Sequence, residues 1–253
     1  MINFDGRVVL VTGASRGIGA AIARVMGQAG AALVLHCGHA RDRAEAVARA
    51  AAPGRSTVLA ADLAVDGSAT SLWRAAEAWR GRIDVLVNNA GIYEPAPLGL
   101  GDEEWRAAWR RTLQVNLIAT AELCRAAVGH FQTLGGGTIV NVASRASFRG
   151  DAPDYAHYAA SKGGMIALTR TIARAYARDG ILAYAVAPGF VRTEMAEESF
   201  RQGIDEAAVR AEIPMGDIAP PEDVANVVAF LASGLAPHAT GTTVDVNGAS
   251  YVR

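Results

Sequence analysis

A tyrosine and a lysine four residues apart are the clearest candidates for chemistry in the sequence. Tyr158 and Lys162 lie in a stretch, 155–179, whose pattern predicts a helix, so their side chains share one face. An ammonium near a phenol favours the phenolate and lowers the tyrosine pKa from its ordinary value of about 10. A phenol of this kind can act as an acid or a base near neutral pH. Tyr158 is therefore a candidate acid or base that could act on a substrate oxygen.

Lys162 is also the one lysine in the chain, because 23 of the 24 basic side chains are arginine. Chance alone would put that lysine at the position four residues after Tyr158 in 1 of 24 cases. A compact ammonium with several donors can approach both a phenol and sugar hydroxyls, whereas a guanidinium is a planar fork. The placement therefore favours a chemical role for Lys162 over chance.

Ser144 follows the fifth predicted strand and can hydrogen-bond the same substrate oxygen. Tyr155 and Ser147 are rivals for these roles, and each of these side chains could instead be structural. Tyr155 is seven residues from Lys162, two helical turns away, so Tyr158 is the better partner. Reduction of a carbonyl also needs a hydride, which no side chain supplies, so this chemistry requires a cofactor.

Three glycines mark a place for that cofactor. Gly13, Gly17 and Gly19 follow the first predicted strand, and a helix begins at once. Glycine lets the backbone come close to a ligand, and a helix start offers free N–H groups and a positive dipole end to a pyrophosphate. The alternative is a plain strand-to-helix turn. The position on the first strand of a β-α-β unit favours dinucleotide binding.

Short apolar runs alternate with longer amphipathic segments along the whole chain. The runs predict strands at 8–11, 32–36, 57–60, 83–88, 138–142, 182–187 and 243–246, and the segments predict helices at 17–29, 40–51, 68–80, 102–133, 155–179, 205–212 and 221–233. Continuous apolar runs are typical of strands buried on both faces. The alternation indicates an α/β fold, a doubly wound, mostly parallel seven-stranded sheet with helices on both faces. We expect a single domain over 1–253, in which 190–215 forms a substrate loop or lid.

Composition excludes several classes of protein. The chain is 51% hydrophobic and 19% charged with a net charge of −1, which favours an ordered globular protein and gives no basic face for nucleic acid. No apolar run approaches the length of a membrane span. Cys37 and Cys124 form neither a disulfide framework nor a metal-binding pair, so we expect no metal and a cytoplasmic location.

Taken together, the motifs resemble the short-chain dehydrogenase/reductase family. The resemblance rests on matches that keep the family's order over nearly the whole chain: the TGxxxGIG stretch from Thr12 to Gly19, the NNAG stretch from Asn88 to Gly91, Asn116, Ser144, the YxxxK pair Tyr158 and Lys162, and the Pro188–Gly189 pair. It implies a Rossmann-like fold and hydride transfer between a nicotinamide dinucleotide and a carbonyl or secondary alcohol. Within the family, the sequence most resembles the 3-oxoacyl-thioester reductases. Other ketone reductases and NAD-dependent sugar, polyol or other alcohol dehydrogenases are the alternatives.

The resemblance also implies a role for each matched residue. Ser144 would orient the substrate, Tyr158 would donate or accept the proton, Lys162 would also hold the nicotinamide ribose, and Asn116 would support a water relay. The cofactor would be bound by the glycine loop (Gly13, Ser15, Arg16, Gly17, Ile18, Gly19), at the adenosine by Asp62, Leu63, Asn89, Ala90 and Gly91, and at the nicotinamide by Pro188, Gly189, Val191 and Thr193, with the Val191 backbone on the carboxamide.

Basic residues near the second strand favour NADP(H) over NAD(H). An NAD site usually has an acid about 20 residues beyond the glycine loop, but no acid stands where this strand ends. Arg16 lies in the loop, and His36, His39, Arg41 and Arg43 follow nearby, which suits a 2′-phosphate. The alternative is that the helix arginines form a solvated face.

Substrate and assembly are less constrained by the sequence. The substrate walls should come from 92–98, 145–157 and 190–215; the charged stretch 145–157 favours an anionic or polar substrate or else is a solvated rim. The family uses the helices 102–133 and 155–179 for a dimer contact, and the last strand region completes a tetramer, so a homotetramer is expected. A non-catalytic dinucleotide-binding regulator and an enzyme of epimerisation or dehydration are the other classes considered.

Overall fold

One parallel sheet organises the protein. The computed structural model describes residues 2–201, 203 and 205–253, so Met1 and two residues of the expected lid, Gln202 and Ile204, lie outside the description. Within these residues the sheet has seven strands in the order β3-β2-β1-β4-β5-β6-β7, and every neighbouring pair is parallel. The strands are β1 (Val8–Val11), β2 (Ala32–Cys37), β3 (Ser56–Ala60), β4 (Val85–Asn88), β5 (Gly137–Val142), β6 (Ile181–Pro188) and β7 (Thr243–Val246).

Helices connect the strands and cover both faces of the sheet. They are α1 (Gly17–Gln28), α2 (Arg41–Ala51), α3 (Ser68–Arg80), α4 (Asp102–Leu113), α5 (Ala119–Leu134), α6 (Ala146–Arg149), α7 (Ala156–Tyr176), α8 (Glu194–Arg201), α9 (Glu206–Ala211) and α10 (Pro221–Ala232). No helix among the described residues is long and apolar enough to cross a membrane.

The continuous apolar strands are explained by burial on both sides. Val9 and Val11 of β1 lie in a core shared with α1, α2 and α10, whereas Val8 and Leu10 lie in a second core shared with α3, α5 and α7. All four side chains are at most 3% exposed. Because successive strand side chains point to opposite faces, helices on both sides leave no polar alternation in the strand. The doubly wound α/β fold expected from the sequence is confirmed.

The helix predictions differ from the structure in three places. The predicted helix 102–133 is α4 and α5 joined by a π-helical turn at Gln114–Ile118. The stretch 190–215 contains α8, which the pattern did not predict, in addition to α9, which matches the predicted helix 205–212. A single-turn helix, α6, occupies part of the expected substrate wall. In α8 the Thr193 Oγ1 accepts from the Ala196 N–H at 3.4 Å, a capping contact of the kind that starts helices.

The strand order places a crevice at one edge of the sheet. After β1 the chain adds β2 and β3 on one side of it, and then adds β4 to β7 on the other side. The strand order therefore reverses between β1 and β4, which are hydrogen-bonded neighbours. In open α/β sheets, ligands bind beyond the carboxyl ends of the strands at such a switch point. The loops that follow β1, β4, β5 and β6 therefore meet at this edge, and they carry the motifs identified above.

Candidate active site

A large cavity lies at the carboxyl edge of the sheet. It has a volume of about 1110 Å³ and is lined by the loops after β1, β4, β5 and β6 and by residues of α7 and α8. Pockets for one small ligand are usually about 300–1,000 Å³. The cavity therefore has room for a dinucleotide and a substrate side by side.

The candidate catalytic side chains meet inside this cavity. Ser144, Tyr158 and Lys162 all line it, and the Lys162 Nζ lies 5.8 Å from the centre of the Tyr158 ring. The Nζ also donates to the Val142 carbonyl at 2.8 Å, which ties the lysine to the end of β5. The Ser144 Oγ accepts from the Ala146 N–H at 3.1 Å, so the start of α6 orients the hydroxyl. Tyr158 and Lys162 thus lie in one site, as their spacing in the sequence predicts.

The tyrosine pKa differs from the sequence expectation. Burial raises the pKa of Tyr158 to about 12, opposed in part by a hydrogen bond with Ser144 and reinforced by the charge of Asp151. Burial lowers the pKa of Lys162 to about 8. The expected lowering of the tyrosine pKa by the ammonium is therefore wrong for the chain without ligand, because desolvation of the phenolate is the larger effect. Tyr158 is a protonated phenol near neutral pH.

The glycine loop packs against the end of β4. A Cβ atom on Gly13 would lie 2.9 Å from the Ala90 Cα, and Gly13 has φ of +65°. The Asn89 Nδ2 donates to the carbonyls of Thr12 and Gly13 at 2.9 and 3.1 Å. The Thr12 hydroxyl in turn accepts from the backbone N–H groups of Asn89 and Ala90, both at 3.0 Å. These contacts fix the loop at the switch point, with the first turn of α1 directed at the cavity.

Comparison with known proteins agrees with this geometry. A family model described as enoyl-(acyl carrier protein) reductase matches residues 13–249. The chain is 40% identical over 251 residues to cis-4-hydroxycyclohexanecarboxylate dehydrogenase of Sinomonas cyclohexanicum, which covers 97% of this chain and 96% of that one. It is 38% identical over 249 residues to 3beta-hydroxysteroid dehydrogenase 1 of Eggerthella lenta, with 97% and 94% covered. The chain belongs to the short-chain dehydrogenase/reductase family.

Solved structures place this short-chain dehydrogenase/reductase among dinucleotide-binding folds. A crystal structure described as an NAD(P)-dependent gluconate 5-dehydrogenase from Beutenbergia cavernae, with NADP bound at low occupancy, superposes with a TM-score of 0.88. It is 36% identical, with 98% of this chain and 97% of that chain covered. The protein is an oxidoreductase of a family that acts on hydroxyl and carbonyl groups.

The glycines that border the cavity of this reductase fit a nicotinamide dinucleotide. Gly17 begins α1 with φ of +54°, and a Cβ there would lie 3.1 Å from the Thr193 side chain. No side chain caps the N-terminus of α1, so its first N–H groups are free for a phosphate. A Cβ on Gly91 would lie 3.4 Å from the Lys162 Nζ. Bare backbone at these positions leaves the cavity open where a dinucleotide would pass.

Most of the sequence-predicted residues line the cavity, and four do not. Those that line it are Gly13, Ser15, Arg16, Gly17, Ile18, His36, His39, Asp62, Leu63, Asn89, Ala90, Gly91, Ser144, Tyr158, Lys162, Pro188, Gly189, Val191 and Thr193. Gly19, Arg41, Arg43 and Asn116 are absent from the lining. A Cβ on Gly19 would lie 2.3 Å from the Gly13 carbonyl, so this glycine serves packing of the loop on α1.

Asn116 is a positioning residue in the chain without ligand. It lies in the π-helical turn between α4 and α5 and is fully buried. Its Oδ1 accepts from the Ile92 N–H at 2.8 Å, and its Nδ2 donates to the Ile92 carbonyl at 3.0 Å and to the Ser161 Oγ at 3.2 Å. These bonds clamp the loop after β4 onto α7 near Lys162. The water relay implied by the family stays a prediction.

His36 and Arg41 differ from the expected basic cluster. The His36 Nδ1 accepts from the Gly13 N–H at 3.2 Å, and its Nε2 contacts the Ala61 carbonyl at 2.9 Å. The ring is 2% exposed, and burial lowers its pKa, so His36 is a neutral brace for the glycine loop. Arg41 pairs with Glu45 on its own helix at 2.9 Å, off the cavity. Both side chains therefore have partners within the protein, and their role as phosphate ligands stays a prediction.

A carboxylate that no sequence pattern indicated contacts Arg16 and Arg43. Glu194, the first residue of α8, forms an ion pair with Arg43 of α2, and its Oε2 lies 3.7 Å from the Arg16 Nη1. The bonded Arg43 holds the pKa of Glu194 below its usual range. Glu194 lines the cavity beside Arg16 and His39. Its neighbours are 151 and 178 positions away along the chain, so no local pattern revealed this contact.

Proposed function

We propose that this protein catalyses reduction of a ketone to a secondary alcohol, and the reverse oxidation, with NADP(H). The observation that carries the proposal is the meeting of Ser144, Tyr158 and Lys162 in one cavity with the glycine loop. A bound nicotinamide dinucleotide would supply or accept the hydride. The chain's own side chains would bind the carbonyl oxygen and supply its proton.

The protonation states suit the reductive direction. Tyr158, with a pKa raised to about 12 by burial, carries its proton at neutral pH and can donate it to the oxygen as the carbonyl carbon is reduced. The Ser144 hydroxyl would hydrogen-bond the same oxygen and orient it. Lys162, with a pKa lowered to about 8, is mostly cationic near pH 7 and would stabilise the phenolate that remains.

The preference for NADP(H) rests on Arg16 and Arg43. Arg16 lines the end of the cavity beyond β2, and Arg43, which is outside the lining, reaches this end through its ion pair with Glu194, which does line it. The residues after β2 in this lining, Gly38, His39 and Ala40, carry no carboxylate. A guanidinium binds phosphate with paired, charge-assisted hydrogen bonds. Glu194 contacts both arginines, and a 2′-phosphate, which carries more charge, would compete with Glu194 for them.

Assembly as a homotetramer is also proposed. Ile118 is 44% exposed next to α5, and Ala160 and Ala167 of α7 are exposed small residues on the helices expected to form the contact. Met165, on the same helix, is fully buried in the core of the single chain and is not part of this exposed face. Small exposed residues allow two helices to approach closely.

A substrate panel tests the proposed activity. The protein is mixed with NADPH or NADH and with cyclic ketones, 3-oxoacyl thioesters and ketoses, and absorbance of the reduced cofactor is followed. We expect consumption of NADPH with at least one ketone, and a kcat/KM about tenfold or more lower with NADH. Tyr158→Phe should lower turnover by about 10²–10⁴-fold while the dissociation constant for NADPH changes little. Undiminished turnover in Tyr158→Phe would refute the assignment of the proton donor.

A further inference from the structure

Arg145 is a buried cation beside the reacting groups. It follows Ser144 directly in the chain, lines the same cavity and is 6% exposed. Its backbone N–H donates to the Pro188 carbonyl at 2.9 Å, which fixes it at the end of β6. Its guanidinium carbon lies 5.0 Å from the centre of the Phe190 ring. Burial of a guanidinium is costly unless an anion and hydrogen-bond acceptors compensate it.

The compensation available from the protein is incomplete. The Arg145 Nη1 donates to the Ser250 Oγ at 2.6 Å, and no other hydrogen bond of this guanidinium is found among the described residues. The nearest anion is Glu212, whose Oε2 lies 3.9 Å from the Arg145 Nη2 and 3.8 Å from the Arg149 Nη1. Glu212 is 60% exposed. Two guanidinium groups therefore share one solvated carboxylate, at ion-pair distance but beyond hydrogen-bond distance.

Other charged groups on this wall have partners of their own. The Asp151 Oδ1 accepts from the Ala152 N–H at 2.9 Å and from the Tyr93 hydroxyl at 3.4 Å. The Arg111 Nε pairs with Glu94 at 3.4 Å near the rim. Arg145, by contrast, is buried and lies next to Ser144 in the chain. Within the described part of the chain, some of its guanidinium N–H donors have no hydrogen-bond acceptor.

An aromatic surface adjoins the catalytic tyrosine on the same side of the cavity. The rings of Tyr93 and Tyr155 stack with centres 4.0 Å apart and planes 5° apart. The Tyr158 ring meets Tyr93 edge-on at 4.8 Å. These three residues, together with Phe190, line the cavity that contains Arg145. A ligand with a compact apolar body would pack against these rings. One polar end of the ligand would reach Ser144 and Tyr158, and the other would reach Arg145.

We propose that Arg145, assisted by Arg149, is a carboxylate-binding subsite and that the substrate is a ketone or secondary alcohol bearing a carboxylate on a compact apolar body. The carboxylate accepts hydrogen bonds from the Arg145 guanidinium, in exchange for the distant contact with Glu212. The reacting oxygen lies at Ser144 and Tyr158. The inference rests on the proposed function for the position of the reacting oxygen, but binding of the carboxylate can be tested without turnover.

A matched pair of substrates tests the subsite. Reduction of 4-oxocyclohexanecarboxylate is compared with reduction of its neutral carboxamide, at constant NADPH. We expect kcat/KM to be about tenfold or more higher for the acid, through a lower KM, because charge-assisted bonds are stronger than neutral ones. Arg145→Gln should remove most of this difference between the two substrates, because the charged partner of the carboxylate is lost.

Two further variants keep the test valid if Arg145→Gln folds poorly. Glu212→Gln removes the competing carboxylate from an exposed position, so the ratio of KM for the carboxamide to KM for the acid should rise about two- to fivefold. Arg106→Gln removes an exposed arginine that pairs with Asp102 on α4, away from the cavity. This control should change neither KM, which separates local binding from the change in net charge.

Binding measurements separate failure of the subsite from failure of the proposed function. Calorimetry with cyclohexanecarboxylate and cyclohexanecarboxamide is done on the protein saturated with NADP⁺. Preferred binding of the carboxylate, lost in Arg145→Gln or strengthened in Glu212→Gln, supports the subsite even where no ketone turns over. Equal binding of both compounds, or a preference that neither variant alters, overturns it. Absence of turnover across the whole ketone panel would count against the proposed function alone.

Discussion

Lys162 is a buried cation whose position in the active site lowers the stability of the folded protein. Its side chain is 4% exposed, and its ammonium has one backbone acceptor, the Val142 carbonyl. It makes no ion pair within the part of the chain that the structure describes. A cation buried with so little compensation destabilises the folded state. Because burial lowers the pKa of Lys162 to about 8, its protonation should leave a measurable trace in the stability of the protein.

The free energy of unfolding should therefore rise with pH through the titration of Lys162. The folded pKa is about 8 and the unfolded value is 10.5, so between these limits the unfolded chain binds more protons than the folded one. Relative to Lys162→Met, the wild type should gain up to about 1.4 kcal/mol per pH unit in this window. Urea unfolding of both proteins at about pH 7.5, 8.5 and 9.5 measures it. Parallel stability curves for the two proteins would contradict the prediction.

At the residue scale, spacing predicted the pair on one helix but not the roles of isolated side chains. Tyr158 and Lys162 share a helical face whatever surrounds them, so four-residue spacing was enough to find them. His36 and Asn116 were harder, because the partners of their side chains are backbone groups of Gly13 and Ile92, brought close by the fold alone. Desolvation, which decides the Tyr158 pKa, likewise depends on the finished packing.

At the element scale, α8 links three parts of the cofactor site. Its first residue, Glu194, contacts Arg16 of the glycine loop and Arg43 of α2. Salt bridges between half-exposed side chains contribute little to stability, typically about 0.2–1 kcal/mol. The same contacts have a larger consequence for binding, since they occupy the arginines proposed to hold the 2′-phosphate.

Glu194→Gln should tighten NADPH binding and leave NADH binding unchanged. Removal of the competing carboxylate frees Arg16 and Arg43, so the dissociation constant for NADPH should fall about two- to fivefold. Fluorescence titration of the reduced cofactors measures both constants. A parallel change for NADPH and NADH would show that Glu194 acts on the shape of the site rather than on the phosphate.

Two arginines on the same helix provide a matched control for this prediction. Arg43→Gln should weaken NADPH binding by roughly 10–100-fold, because a charge-assisted hydrogen bond to phosphate is lost. Arg41→Gln removes the same charge two residues away, from a side chain that pairs with Glu45 off the cavity. It should leave the dissociation constant for NADPH unchanged. Equal losses in both variants would remove the argument for a specific phosphate contact.

The whole molecule is the scale at which the sequence was most informative. Continuous apolar runs such as Val8–Val11 specify strands covered on both faces, and alternation with helices then leaves few topologies. Within 190–215 the helix α9 was predicted, as 205–212, but α8 was not, because it is short and packs only on a small cluster around Val209 and Ile213. Its apolar pattern is too brief to separate a helix from a loop.

The exposed small residues of α7 lead to the prediction on assembly. Light scattering at micromolar concentration should give four times the 26.3 kDa mass of one chain. Ala167→Arg puts a long cation on the exposed face of α7 and should lower that mass, whereas Ala75→Arg, on the exposed face of α3, should not. Both substitutions are made on helix surfaces, so neither should unfold the chain. A wild-type mass of 26.3 kDa would exclude the tetramer, and a tetramer that tolerates Ala167→Arg would place its contact on another face.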